Sequence, residues 1–249
     1  MNKLIVAFFT ALFFTLTYNH VFAQDVLKDG EMKATKRDTK NYNLVSIDGK
    51  HQKVTIIPGY KKHELKVTCL KDNITIPDFW GVPPETRLLN KSFIEIKYAV
   101  RGGSNVGLCN TLIVCVNDNN LCPAMYALRY ANGETGDQKE EYRIKLNISG
   151  NNANNYKLNV HIHDYVNSKR DPETNYVYDN NTVLAFDKKL NVFYSVKDGL
   201  YDHFITTKSK TKQKVTGIFP MIILGKETYY FINGRWYTGD LDKEMFEFQ

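Results

Sequence analysis

From Tyr42 to the C-terminus the sequence repeats one pattern, in which short runs alternate apolar and polar residues and are set apart by Asn, Asp, Gly and Lys. A period of two belongs to a strand that buries one face, and no stretch carries the 3.6-residue period of an amphipathic helix. In Glu141 to Ile148 the residues Tyr142, Ile144, Leu146 and Ile148 share one side, with Arg143, Lys145 and Asn147 on the other. Thr111 to Val116 is apolar on both sides, as suits a central strand. Ile232-Asn233-Gly234-Arg235 predicts a tight hairpin, because a type I′ turn needs positive φ at both central residues, and it places Trp236 opposite Phe231.

About fifteen such runs, from 42–47 to 235–237, predict an all-β chain. A sandwich, a barrel or a propeller-like stack of short antiparallel strands would accommodate them, with a single short helix over 240–248. The segment 167–181, NSKRDPETNYVYDNN, breaks the pattern and reads as a long surface loop or a seam between two halves. About 70 residues follow it, which make a thin core on their own, so one β domain over 42–249 is favoured.

Residues 1–23 have the layout of a cleavable secretory signal: Lys3, an apolar core from Leu4 to Leu16, a polar break at Asn19-His20, then Val21-Phe22-Ala23. That core is too short for a spanning helix, so an exported chain without a transmembrane anchor is expected, beginning with a polar leader over 24–41. Removing the signal takes away Lys3 and no acid, lowering the formal charge of +6 by one. So mild an excess gives no reason to expect nucleic acid, but it permits an anionic glycan, an envelope component or another protein as partner.

Export changes how the four cysteines read. If Asn117 to Asn120 form a four-residue loop, Cys115 faces Cys122 across a ladder, leaving Cys69 with Cys109 as the second disulfide by elimination. The other reading is four small buried side chains. Zinc is disfavoured by the spacing of these residues.

His161-Ile162-His163 places two imidazoles on one strand face, a geometry able to hold a metal. With 149–155 as the connection, Arg143 falls opposite His161 and Glu141 opposite His163. A guanidinium there opposes a dication, so a wet cross-strand face with an ordinary Glu141–His163 pair is expected and no metal or other cofactor is assigned. Gly102 to Gly107 resembles a phosphate-binding loop only superficially, because a strand follows it where a helix N-terminus is required.

Two features point to binding. Phe79 and Trp80 stand in a proline-rich loop, where an aromatic ring either stacks on a sugar or peptide or plugs the end of a sheet. Lys208, Lys210, Lys212 and Lys214 alternate with Ser, Thr and Gln, and line one face if extended. They would grip an anionic headgroup or glycan, or else merely protect an edge strand from aggregation.

The stretch Phe93 to Gly107, with Thr111 to Asn117, Leu121 and the Phe22-Ala23-Gln24 junction, resembles a segment of uncharacterised exported β-rich proteins of Bacteroidota. The resemblance covers about a fifth of the chain. It implies a cell-envelope or secreted setting and transfers no catalytic residue.

A non-enzymatic binding or envelope-associated protein is therefore expected. The alternative is a glycan or cell-wall hydrolase using two carboxylates drawn from Asp78, Glu85, Asp164 and Asp202. A third reading is an inhibitor or structural partner, which a projecting loop or large apolar patch would betray.

Overall fold

The computed structural model describes residues 38–80, 82–100, 106–206, 212–238 and 247–248. The expected signal peptide and most of the polar leader lie outside them. The chain is all-β, in three antiparallel sheets that form a sandwich-like stack, and among the described residues no sheet closes into a barrel. Among the described residues no helix is long and apolar enough to cross a membrane.

The first sheet contains β1 (Lys40–Val45), β2 (His51–Gly59), β3 (Glu64–Cys69) and β4 (Asp72–Ile76) in sequence order. The second is a meander of eight strands: β5 (Glu85–Leu88), β6 (Ile94–Val100), β7 (Val106–Asn117), β8 (Asn120–Thr135), β9 (Gln138–Ser149), β10 (Lys157–Ser168), β11 (Tyr176–Asp187) and β12 (Val192–Tyr194). The third holds β13 (Val196–Thr206), β14 (Lys212–Leu224), β15 (Glu227–Ile232) and β16 (Arg235–Thr238). A final strand, β17 (Glu247–Phe248), returns to β4, so a strand stands where the sequence suggested the end of a helix.

Several strands are longer than the expected short runs, and β8 reaches 16 residues. Only 169–175 of the segment read as a loop or seam is loop, because Tyr176 onward pairs with β10. One hydrophobic core joins Leu44 of the first sheet, Ile113 of the second and Trp236 of the third.

Turn chemistry sets the registers. Asn233 (φ 51°) and Gly234 (φ 82°) form the expected tight turn, with Phe231 opposite Trp236. At the β7–β8 turn, Asp118 (φ 47°) and Asn119 (φ 65°) are the two central residues, so the loop has two residues rather than four. Cys115 still faces Cys122, because shortening the loop symmetrically moves no pair.

β8 is the hinge of the architecture. Its second half, Tyr130 to Thr135, pairs with β9, whereas its first half pairs only with β7. That leaves backbone groups on the other edge of β8, and buried ones need partners. The third sheet supplies two of them with side chains: Trp236 Nε1 donates to the Pro123 carbonyl at 2.7 Å, and the Leu128 N–H donates to Tyr229 Oη at 2.8 Å. Pro123, with no N–H to offer, sits beside a bulge at Ala124, where a strand tolerates proline. The first sheet docks on the same hairpin, with Leu121 N–H donating to Asp72 Oδ2 at 2.6 Å and Ile47 N–H to the Val116 carbonyl at 2.7 Å.

The meander also curls. Arg87 on β5 reaches the Leu146 carbonyl of β9 at 2.9 Å. Phe93 packs its ring against Tyr156, Phe186 and Phe193, at centroid distances of 5.1, 5.3 and 5.2 Å. The curl brings side chains from β5, β6 and β8 around one recess.

Candidate functional site

The connection between β2 and β3 and the loop after β4 form the first recess. A single 3₁₀ turn, Tyr60–Lys62, ends at His63, whose φ of 53° turns the chain back. Asp78 (φ 58°) makes a second left-handed turn, which aspartate tolerates. Between them Phe79 N–H donates to the His63 carbonyl at 3.0 Å, and Trp80 N–H to the Ala99 carbonyl at 2.9 Å. These bonds tie the loop to both the first and the second sheet.

They also separate the two aromatic residues. Phe79 is fully buried beside Tyr60, at 5.7 Å between centroids, so it plugs the core and offers no binding surface. Trp80 is half-buried and stacks on His63 with centroids 5.7 Å apart and planes 17° from parallel. His63, Asp78, Phe79 and Trp80 line a recess of about 170 Å³.

The second recess, about 180 Å³, is lined by Glu85, Thr86, Arg87, Glu95, Lys97 and Arg129. Its centre is Glu95, only 3% exposed, which accepts from Arg87 Nε at 2.5 Å and from Arg129 Nε at 2.8 Å. Thr111 Oγ1 adds a longer contact at 3.4 Å. Lys97 pairs with Glu85 at 3.0 Å on the rim. Arg129 is the extra residue of a second β8 bulge, since Cys109 pairs with Tyr130 and Asn110 with Leu128. A bulge re-aims a side chain, and here it turns Arg129 toward Glu95.

Sequence reasoning did not single out Arg87, Glu95, Lys97 or Arg129 as a site. The available signal was Glu95 between Ile94 and Ile96, a lone acid in an otherwise buried run that has to find cations.

The lysine run is described only in part. Lys208 and Lys210 lie outside the described residues, while Lys212 and Lys214 are in β14, opposite Thr206 and Phe204.

The histidines share the half-exposed face predicted for them, but with different partners. Ser149 pairs with Lys157, so the loop is 150–156 and His161 stands opposite Lys145, His163 opposite Arg143. A shift of two residues keeps each side chain on its face and changes its neighbour. The expected Glu141–His163 pair is therefore replaced. His163 Nδ1 lies 3.0 Å from Asp179 Oδ1 on β11, and Glu141 pairs with Arg143 at 3.3 Å. The hydrogen bond to His163 holds the Asp179 carboxyl below its usual range. No group of three His, Cys, Asp or Glu able to hold a metal is found among the described residues.

All four cysteines are free thiols, which corrects the two-disulfide reading. Cys69 is on β3 beside Asp72, and Cys109 is on β7 in the field of Lys97, Glu85 and Arg129, so the pair assigned by elimination is divided between two sheets. Cys115 and Cys122 meet as thiols. The Cys115 hydrogen bond holds Cys122 down, while burial pushes Cys115 up.

Of the carboxylates considered for hydrolysis, Asp78, Glu85 and Asp164 are not brought into one recess. Asp78 lines the first recess and Glu85 the second, while Asp202 is on β13. Asp164 instead has Glu140 as its neighbour, since Asp164 faces Tyr142 and Val166 faces Glu140 in the ladder. Tyr176 Oη donates to Asp164 at 2.9 Å, and Lys226 covers Tyr176, with its Nζ 3.0 Å from the hydroxyl and 4.2 Å above the ring. Burial pushes Glu140 above its usual range. A carboxyl raised in this way favours the fold while protonated and loses that contribution as pH rises through its folded pKa. Glu140→Gln should therefore melt higher than the wild type at pH 7 and level with it near pH 4, as thermal unfolding at the two pH values would show. A lower melting point at pH 7 would mean instead that the Glu140 charge stabilises the fold through Lys226.

Comparison with protein-family models, curated proteins and solved structures returns no match.

Proposed function

We propose that the protein is an exported, non-enzymatic binding module of the cell envelope or its surroundings, and that its ligand is a saccharide resting on Trp80. The observation that carries this reading is the Trp80–His63 stack beside the exposed Asp78 carboxylate, in a recess of about 170 Å³. An indole offers a flat apolar face to the C–H side of a sugar ring, and an adjacent carboxylate accepts from its hydroxyls. Two backbone hydrogen bonds hold the loop, so little ordering is needed on binding. The signal-like segment 1–23 and the resemblance over 93–107 to exported Bacteroidota proteins support an extracytoplasmic setting.

Hydrolysis is less well supported. Glu95 has both oxygens engaged by guanidinium groups, Glu85 is paired with Lys97, and Asp164 lies under Tyr176. Of these only Glu95 has each oxygen held by a separate cation, and no two of Asp78, Glu85 and Asp164 line the same recess.

Affinity electrophoresis through gels containing dextran, mannan, polygalacturonate or heparin tests the proposal. Retardation of the wild type in at least one gel is expected, with Trp80→Ala running as in a blank gel. Equal mobility of both proteins in every gel would overturn the reading, and so would release of reducing ends from the retained polymer.

A further inference from the structure

Three cations and two carboxylates share the second recess, leaving one positive charge unmatched. Glu95 fixes both guanidinium groups by their Nε atoms, and Arg87 Nη2 is taken by the Leu146 carbonyl. Among the described residues Arg129 Nη1, Arg129 Nη2 and Arg87 Nη1 have no hydrogen-bond acceptor. Arg129 is only 17% exposed, and Glu95 locks its orientation. A guanidinium held in one plane with its outer N–H groups presented is preorganised for an oxygen anion. On the rim, Glu85 is 74% exposed and its bond to Lys97 is screened by water, so an incoming anion displaces it at little cost.

The two recesses border the same strand. Trp80 bonds to Ala99 of β6 and Glu85 pairs with Lys97, two residues further back and about 7 Å along the strand. β6 thus carries a residue of contact with each recess, the Ala99 carbonyl for Trp80 and Lys97 for the second.

We propose that Arg129, Arg87 and Lys97 bind an oxyanion, the carboxylate or sulfate ester of an acidic saccharide whose neighbouring ring rests on Trp80. The proposal rests on the saccharide-binding reading but occupies a different set of residues. Glu95 is a positioning residue here, aligning the guanidinium groups without touching the ligand.

Calorimetric titration with trigalacturonate, a sulfated heparin disaccharide, maltotriose and inorganic sulfate tests it. At least one acidic saccharide is expected to bind about tenfold more tightly than maltotriose. Arg129→Gln should remove most of that preference while leaving maltotriose affinity unchanged. Lys97→Gln, which leaves both Glu95 bonds in place, should do the same if Arg129→Gln fails to fold. Maltotriose bound through Trp80 with no preference for acid would keep the saccharide reading and overturn the oxyanion seat. Inorganic sulfate bound in an Arg129-dependent way, with all saccharides silent, would do the reverse. Silence in every titration would overturn both.

Discussion

Trp236→Ala should lower the unfolding free energy by about 3–5 kcal/mol, the range for truncating a large buried aromatic residue. Trp236 is fully buried, packs on Phe231 at 5.1 Å between centroids, and supplies the hydrogen bond that satisfies the Pro123 carbonyl. Its removal opens a cavity and orphans a buried acceptor, so two costs act together. Trp236→Phe separates them, because it keeps most of the ring and loses only the donor, for about 1–3 kcal/mol. Urea unfolding of the three proteins measures both values. A Trp236→Ala variant within about 1 kcal/mol of the wild type would show that the third sheet docks on β8 by other contacts.

Glu95→Ala should cost about 3–5 kcal/mol, because removing the shared partner leaves two guanidinium groups without a counter-charge. The lower end of that range is expected. Arg87 is 53% exposed and can turn to water, whereas Arg129, at 17%, cannot do so without distorting the β8 bulge. Replacing Glu95, Arg87 and Arg129 together by apolar residues of similar volume should restore most of the loss, since it removes the buried charges along with their mutual attraction. Denaturant unfolding decides the matter: an unaltered midpoint in Glu95→Ala would mean that the ion pairs do not organise the recess.

Local chemistry made parts of the fold legible. Asn233-Gly234 fixed a hairpin and the Phe231–Trp236 pair, and apolar residues on both faces identified Thr111 to Val116 as central. β5 escaped notice because Glu85-Thr86-Arg87-Leu88 has no apolar alternation, and what holds it is the Arg87–Glu95 pair formed across the sheet. The first half of β11, Tyr-Val-Tyr-Asp-Asn-Asn, has the composition of a turn, yet it lies on a wet face where Asn and Asp bond to the imidazoles of β10.

Of the proposed site, only Trp80 was legible. Phe79 and Trp80 look alike in sequence, and only the burial of Phe79 against Tyr60 shows which of them turns inward. The Arg87, Glu95 and Arg129 cluster draws on three strands and depends on an inserted residue in β8 to aim Arg129. Neither the curl of a sheet nor the position of a bulge is encoded in period-two alternation, so no spacing in the sequence announces that cluster.

The chain contains two tryptophans, one half-buried at the recess and one in the core. Emission from Trp80 therefore reports on the proposed ligand surface directly, with Trp80→Phe supplying the constant contribution of Trp236. Titration of the wild-type protein with dextran, mannan, polygalacturonate and heparin should give a saturable change in emission with at least one of them, absent in Trp80→Phe. Emission that stays constant with all four polymers, or that changes equally in Trp80→Phe, would contradict binding at Trp80.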